Sequence, residues 1–215
     1  HYLHHFTSAI RSLSLLSELI AYNSVMDVNS YTTVILAGGR ASRMGGCDKG
    51  LALYKGQPLI RYAITVAESQ SQRILISANR NQEEYRAMGL SVYADNFADY
   101  SGPLAGLVSC APHIETPYTI VMSCDMPDIS AEVIEQLKKQ LCSAPEKSSA
   151  AVFRDQHALQ CGLFVCETSA LHSIQAFLDD NHRSVKQWLN SLNLLTLIWS
   201  EDTNAFKNIN RLIDL

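Results

Sequence analysis

The chain has 215 residues, 47% of them hydrophobic and 18% charged, with a formal net charge of −4. That composition supplies a sizeable globular core and argues against disorder, while the acidic balance argues against a nucleic-acid binder, which carries a basic footprint. Cysteines 47, 110, 124, 142, 161 and 166 form no C-x-x-C pair and no run exceeds the span of a core element, so free thiols and a cytoplasmic location, with no membrane segment, are expected.

The first thirty residues stand apart. The chain opens His1-Tyr2-Leu3-His4-His5 without an initiating methionine, and a helical-looking stretch follows from Ser8 to Tyr22, with Ile10, Leu13, Leu15, Leu16, Leu19 and Ile20 as its apolar positions. Three readings compete: a targeting peptide, a tag remnant, and upstream sequence ahead of the true start. The stretch lacks a compact apolar core followed by a small-residue cleavage site, which weakens the first. Met26 lies ten residues before Leu36, a natural start for a protein that opens on its first strand. Residues 1–30 are therefore read as a leader and 31–215 as one domain.

From Thr32 onward, apolar β-branched runs alternate with helical patterns, the signature of a mostly parallel sheet flanked by helices. Strands are expected at Thr32–Leu36, Arg73–Ser77, Leu90–Ala94, Tyr118–Ser123, Ala150–Phe153, Gln160–Cys166 and Leu194–Ile198. Helices are expected at Pro58–Ser69, Gln82–Met88, Leu104–Ala111, Ser130–Leu141, Thr168–Leu178 and, as a short piece, Ser184–Leu189. Gly89 stops the second of these and Ser130 caps the fourth. The patch from Ser143 to Ser149 reads as a surface loop, and the whole as a single Rossmann-like α/β domain.

The first strand runs directly into Leu36-Ala37-Gly38-Gly39-Arg40-Ala41-Ser42-Arg43-Met44-Gly45-Gly46-Cys47-Asp48-Lys49. Glycines let backbone N–H groups approach a phosphate, and Arg43 and Lys49 add positive charge where a triphosphate would lie. A flexible surface loop with solvated basic residues is the competing reading. The loop matches neither the Walker pattern, since no Ser or Thr follows Lys49, nor the spaced G-x-G-x-x-G of a dinucleotide fold. Asp125 follows the most strand-like run, where the carboxyl ends of parallel strands face the ligand crevice. A single carboxylate there is enough for magnesium, which takes its other ligands from phosphate and water. A turn or helix-capping aspartate before Pro127 is the plainer alternative.

The whole string resembles the L-A-G-G…R-M-G…K signature of the nucleotidyltransferase superfamily, and within it the molybdenum cofactor guanylyltransferases, the MobA family. Lys49-Gly50-Leu51, Ser77-Ala78-Asn79-Arg80, Asp95 with Asp99-Tyr100-Ser101-Gly102-Pro103-Leu104-Ala105-Gly106, and Cys124-Asp125-Met126-Pro127 support the narrower resemblance. Phe206-Lys207-Asn208-Ile209-Asn210 resembles the family's closing F-x-N-x-N segment.

The resemblance implies transfer of GMP from GTP to the terminal phosphate of the molybdopterin cofactor, with magnesium as cofactor. GTP and molybdopterin would be the small-molecule partners, and cofactor-biosynthesis proteins and molybdoenzyme acceptors the protein partners. It implies that Arg43, Lys49 and Asp125 are catalytic and that Asp125 holds the metal. It implies that Leu36, Ala37, Gly38, Gly39, Lys49, Asp95 and Asp125 bind the nucleotide, together with Ser77 or Asn79, between which the count from Lys49 leaves the choice open. Gly102 and Pro103 would close over the substrate, and Asn208 and Asn210, alternating on a strand-like segment, would reach the metal and phosphates. His157 would touch the pterin, with a solvated loop histidine as the alternative. Transfer from CTP, transfer to a sugar or isoprenoid phosphate, and a silent nucleotide-binding module are the rival readings.

Overall fold

A computed structural model describes residues 27–38, 48–95, 102–144, 147–200 and 203–209. The leader up to Met26 lies outside them. A 3-10 turn at Val28–Ser30 precedes β1 (Tyr31–Leu36), and the Val28 carbonyl accepts from the Gln72 N–H at 2.9 Å. Then come a two-residue hairpin, β2 (Leu53–Tyr54) and β3 (Gln57–Pro58), helix α1 (Leu59–Gln70), β4 (Arg73–Ser77), α2 (Gln82–Arg86), β5 (Ser91–Tyr93) and α3 (Pro103–Cys110). The second half holds β6 (Tyr118–Ser123), α4 (Ala131–Ser143), β7 (Ala150–Arg154), β8 (Leu159–Glu167), α5 (Ser173–Asp179), α6 (Val185–Asn190) and β9 (Leu194–Ile198).

Seven strands form one sheet in the order β5-β4-β1-β6-β8-β7-β9. All pairings are parallel except those of β8, which runs antiparallel to both β6 and β7. Strand side chains alternate between two cores, as the pleat demands. Ile35, Ile76, Ile120, Met122, Phe153 and Val165 face one core with α1 and α4 residues such as Ile60, Ile64, Ile134 and Leu137. Val34, Leu75, Val121, Val152 and Phe164 face the other with Leu104, Leu107, Ile174 and Trp188. Burial on both faces explains why the strand segments read as continuous apolar runs.

Most expected elements are present, with shifted ends. The single helix expected at Thr168–Leu178 is instead a 3-10 stretch, Thr168–His172, followed by α5. The Thr168 N–H donates to the Pro117 carbonyl at 2.8 Å, which ties that stretch to the strand edge. The expectation of a strand-like path at Asn208 is also corrected: residues 207–209 have no strand partner.

Lys138, on α4, is a charged side chain buried inside the fold, 1% exposed. Its ammonium donates to the Gln70 carbonyl at 2.6 Å and lies 4.2 Å from the centroid of the Tyr31 ring. Burial pushes it down from the ordinary 10.5 to about 8, with Glu135 pulling the other way. Between those values the folded chain binds fewer protons than the unfolded chain, so the contribution of Lys138 to stability grows as pH rises. Relative to Lys138→Met, wild type should therefore gain about 2 kcal/mol between about pH 7.5 and 10, read from paired urea midpoints.

Candidate active site

Four strands end in one row. Leu36 of β1 pairs with Ser77 of β4 on one side and Ser123 of β6 on the other, and Ser77 pairs with Tyr93 of β5. Each ladder continues one residue past the row: Ala37 N–H donates to Ser77 O at 2.9 Å, Ala78 N–H to Tyr93 O at 2.9 Å, and Cys124 N–H to Leu36 O at 3.2 Å. Beyond it the segments carrying Gly38, Asn79, Asp95 and Asp125 leave the sheet side by side. The connections from β1 run to β4 on one flank and, later, to β6 on the other, so the crevice opens where strand order reverses.

At that crevice Lys49 Nζ donates to Asp125 Oδ2 at 2.5 Å, with the two side chains 23% and 14% exposed. Ser123 Oγ donates to the other carboxylate oxygen, Oδ1, also at 2.5 Å. Residues 76 apart in sequence thus meet as one charged unit at the carboxyl end of β6. Next to it, burial pushes the Cys124 thiol well above its ordinary range, which leaves it protonated and unreactive.

The Lys49 turn is held from two sides. Leu59 and Ile60, whose N–H groups have no partner inside α1, donate to Ala52 O and Gly50 O, both at 2.9 Å. On the other side the Asp48 carboxylate accepts from Gly50 N–H at 3.1 Å, from Asn81 Nδ2 at 3.1 Å and from the Tyr85 hydroxyl at 2.5 Å. Sequence reasoning singled out neither Asp48 nor Tyr85. The signal available was Asp48-Lys49-Gly50 itself, a short polar residue two before a glycine, which is the pattern of an Asx turn.

Toward β5, Asn79 and Asp95 bond reciprocally: Asn79 Nδ2 donates to Asp95 Oδ2 at 2.7 Å, and Asp95 N–H donates to Asn79 Oδ1 at 2.9 Å. Ser77, by contrast, is 5% exposed and packs against α3, where a Cβ on Gly106 would lie 2.1 Å from its hydroxyl oxygen. Only glycine at 106 lets α3 sit this close to the sheet. That contact brings the start of α3, with exposed Gly102 at φ 77° and Pro103, to the strand ends.

The chain's last described segment returns to the same edge. Ile209 N–H donates to the Asp125 backbone carbonyl at 2.9 Å, which brings the segment carrying exposed Asn208 to the same edge. His157 is exposed in the β7–β8 turn, its N–H bonded to Asp155 Oδ1 at 2.7 Å. Gly39, Arg43 and Asn210 lie outside the described residues. The structure thus brings Leu36, Ala37, Gly38, Lys49, Asn79, Asp95 and Asp125 to one edge and turns the Ser77 side chain away into the core.

The MobA-like NTP transferase domain profile matches residues 33–195. A molybdenum cofactor guanylyltransferase from Shewanella piezotolerans is 38% identical over 177 residues, covering 82% of this chain and 86% of its own length. One of the same name from Bordetella petrii is 36% identical over 193 residues, 89% of this chain and 98% of the relative. Among solved structures, molybdopterin-guanine dinucleotide biosynthesis protein A from Archaeoglobus fulgidus superposes with a TM-score of 0.69 at 19% identity, covering 85% of this chain and 94% of that one. At that identity the superposition speaks for the fold alone, whereas the sequence matches carry the kinship: the chain belongs to the MobA-like nucleotidyltransferase family.

Proposed function

We propose that this chain is a molybdenum cofactor guanylyltransferase, transferring GMP from GTP to the terminal phosphate of the molybdopterin cofactor. The observation that carries the proposal is the Lys49–Asp125 pair at the β1–β6 crevice, in a chain at least 36% identical over more than four fifths of its length to proteins of that name. In the reaction an oxygen of the pterin's terminal phosphate attacks the α-phosphorus of GTP. The bond from that phosphorus to the bridging oxygen breaks, and pyrophosphate leaves with the electron pair. Such chemistry needs alignment and charge neutralisation, not a protein nucleophile.

Lys49 and Arg43 supply the positive charge for the triphosphate and the leaving pyrophosphate. The backbone of Ala37 and Gly38, at the end of β1, approaches the phosphates, and the family motif gives Gly39 the same role. Asp95, oriented by its reciprocal bonds with Asn79, accepts from the guanine edge or a ribose hydroxyl, so Asn79 and not Ser77 is the residue of this segment turned to the nucleotide. Gly102 and Pro103 border the nucleoside, and Asn208 borders the phosphates.

Magnesium is the ion this reading implies. Asp125 offers one carboxylate with the Ser123 hydroxyl beside it, an oxygen-only donor set that suits a hard ion completing its shell from phosphate and water. With its carboxylate at the crevice, Asp125 is the residue that would hold it. When bound, the ion neutralises phosphate charge.

No helix among the described residues is long and apolar enough to cross a membrane. The reaction is assigned to the cytoplasm, a reading supported by the free cysteines 110, 124, 142, 161 and 166, and its product would pass to molybdoenzyme acceptors. The test is pyrophosphate release from the purified chain with magnesium and molybdopterin, across GTP, CTP, ATP and UTP. GTP is expected to exceed each of the others by at least about a hundredfold, since a site that hydrogen-bonds a base edge discriminates through polar groups left unpaired by the wrong base. A preference for CTP would overturn the guanylyl assignment, and nucleotide binding without release would overturn catalysis.

A further inference from the structure

We propose that Tyr85 is a positioning residue for Lys49, acting through Asp48, and that the brace it completes sets the rate of nucleotidyl transfer. The inference rests on the reading of Lys49 as the triphosphate-binding cation.

Tyr85 sits on α2, outside the glycine-rich loop and outside the short motifs named in the sequence analysis. It is fully buried, yet its hydroxyl reaches out of the core to the Asp48 carboxylate at 2.5 Å. Burial, reinforced by that carboxylate, pushes the Tyr85 hydroxyl far above its ordinary range, so it stays protonated and donates to Asp48. The same Asp48 oxygen accepts from the Gly50 N–H, and the second oxygen accepts from Asn81 Nδ2. Lys49 therefore lies between two anchored neighbours, Asp48 by its side chain and Gly50 by its N–H.

Two further features show that the brace is built tightly. A side chain on Gly50 would put its Cβ 2.5 Å from the Tyr85 hydroxyl oxygen, so the approach of ring to turn requires glycine there. Asn81, which supplies the third donor, sits in the left-handed region at φ 47°, a conformation disfavoured for most residues but tolerated by asparagine. The segment between Ser77 and Asn81 thus contacts both ends of the site: Asn79 bonds Asp95, and Asn81 bonds Asp48. A reaction that depends on alignment is sensitive to freedom in such a turn.

The experiment is a double-mutant cycle on the full chain. Tyr85→Phe keeps the ring that fills the core and removes one oxygen. It is expected to lower kcat for pyrophosphate release, and affinity for GTP with magnesium by calorimetry, each by about tenfold. In a Lys49→Ala background, Tyr85→Phe should change GTP affinity by less than about twofold, because the group it positions is gone. An equal loss in both backgrounds, or no loss in the wild-type background, overturns the proposal. Should Tyr85→Phe prove unfolded by its thermal transition, Asp48→Asn is put through the same cycle with the same criteria. If the wild-type chain itself fails to bind GTP, the functional reading fails instead, so the two failures are distinguishable.

Discussion

Asp125→Asn is expected to lower the rate of pyrophosphate release by about a thousandfold while leaving the protein folded. The substitution keeps the size of the side chain and an oxygen that accepts from Ser123, but it removes the one negative charge at the end of β6. Two consequences follow from geometry. The proposed magnesium site would lose its carboxylate, and neutral amides hold that ion poorly. Lys49 also keeps its charge in a half-buried position while losing the carboxylate charge of its 2.5 Å contact. The second effect destabilises the fold by only about 1 kcal/mol, because both side chains retain some contact with solvent. The rate effect is larger, since electrostatic stabilisation of a transferring phosphoryl group is worth several kcal/mol at the transition state. Thermal unfolding and pyrophosphate release, measured side by side, separate the two. A variant within tenfold of the wild-type rate would remove Asp125 from the metal-binding role.

The second large effect is at Lys49. Lys49→Ala should reduce kcat/KM for GTP by about two to three orders of magnitude, the scale seen when one preorganised donor to a developing charge is lost. Lys49→Arg should recover little of it. The guanidinium is a broad planar fork, and the ammonium here occupies a point contact on Asp125 Oδ2 inside a turn closed by Asp48 and Gly50. An arginine variant with near-normal kcat/KM would show that positive charge alone, without placement, is sufficient.

The sequence disclosed the fold wherever burial repeats with a period. Thr32–Leu36 and Tyr118–Ser123 are buried on both faces and read as strands because nearly every side chain is apolar or β-branched. The direction of β8 was not legible, since an apolar run looks the same in either orientation and only the turn at residues 155–158 reverses it. The β2–β3 hairpin escaped for another reason. Two-residue strands have no period, and their turn places Lys55 at φ 46° before Gly56 at φ 88°, a primed turn without the usual asparagine.

At the site, Lys49 and Asp125 were legible because glycines and a strand end surround them. Asp48 was hidden by its own ordinariness, one carboxylate among many until Tyr85 and Asn81 arrive from α2 and its cap. The uncertainty between Ser77 and Asn79 had the same origin: spacing gives the segment, while Gly106 on a distant helix decides which side chain is turned into the core.

The reversed strand β8 divides the sheet into two territories. On one side, β5, β4, β1 and β6 carry the segments that bring Asn79, Asp95 and Asp125 to one edge. On the other, β7 climbs to the same edge and β8 descends from it through a turn of four residues, Asp155 to Ala158. That turn is closed on itself, Asp155 N–H donating to Ala158 O at 3.1 Å and its carboxylate accepting from His157, Ala158 and Gln160. The layout is modular: a short turn that satisfies its own polar groups can change its exposed side chains, Gln156 and His157, without disturbing the row of strand ends on the other side of β8.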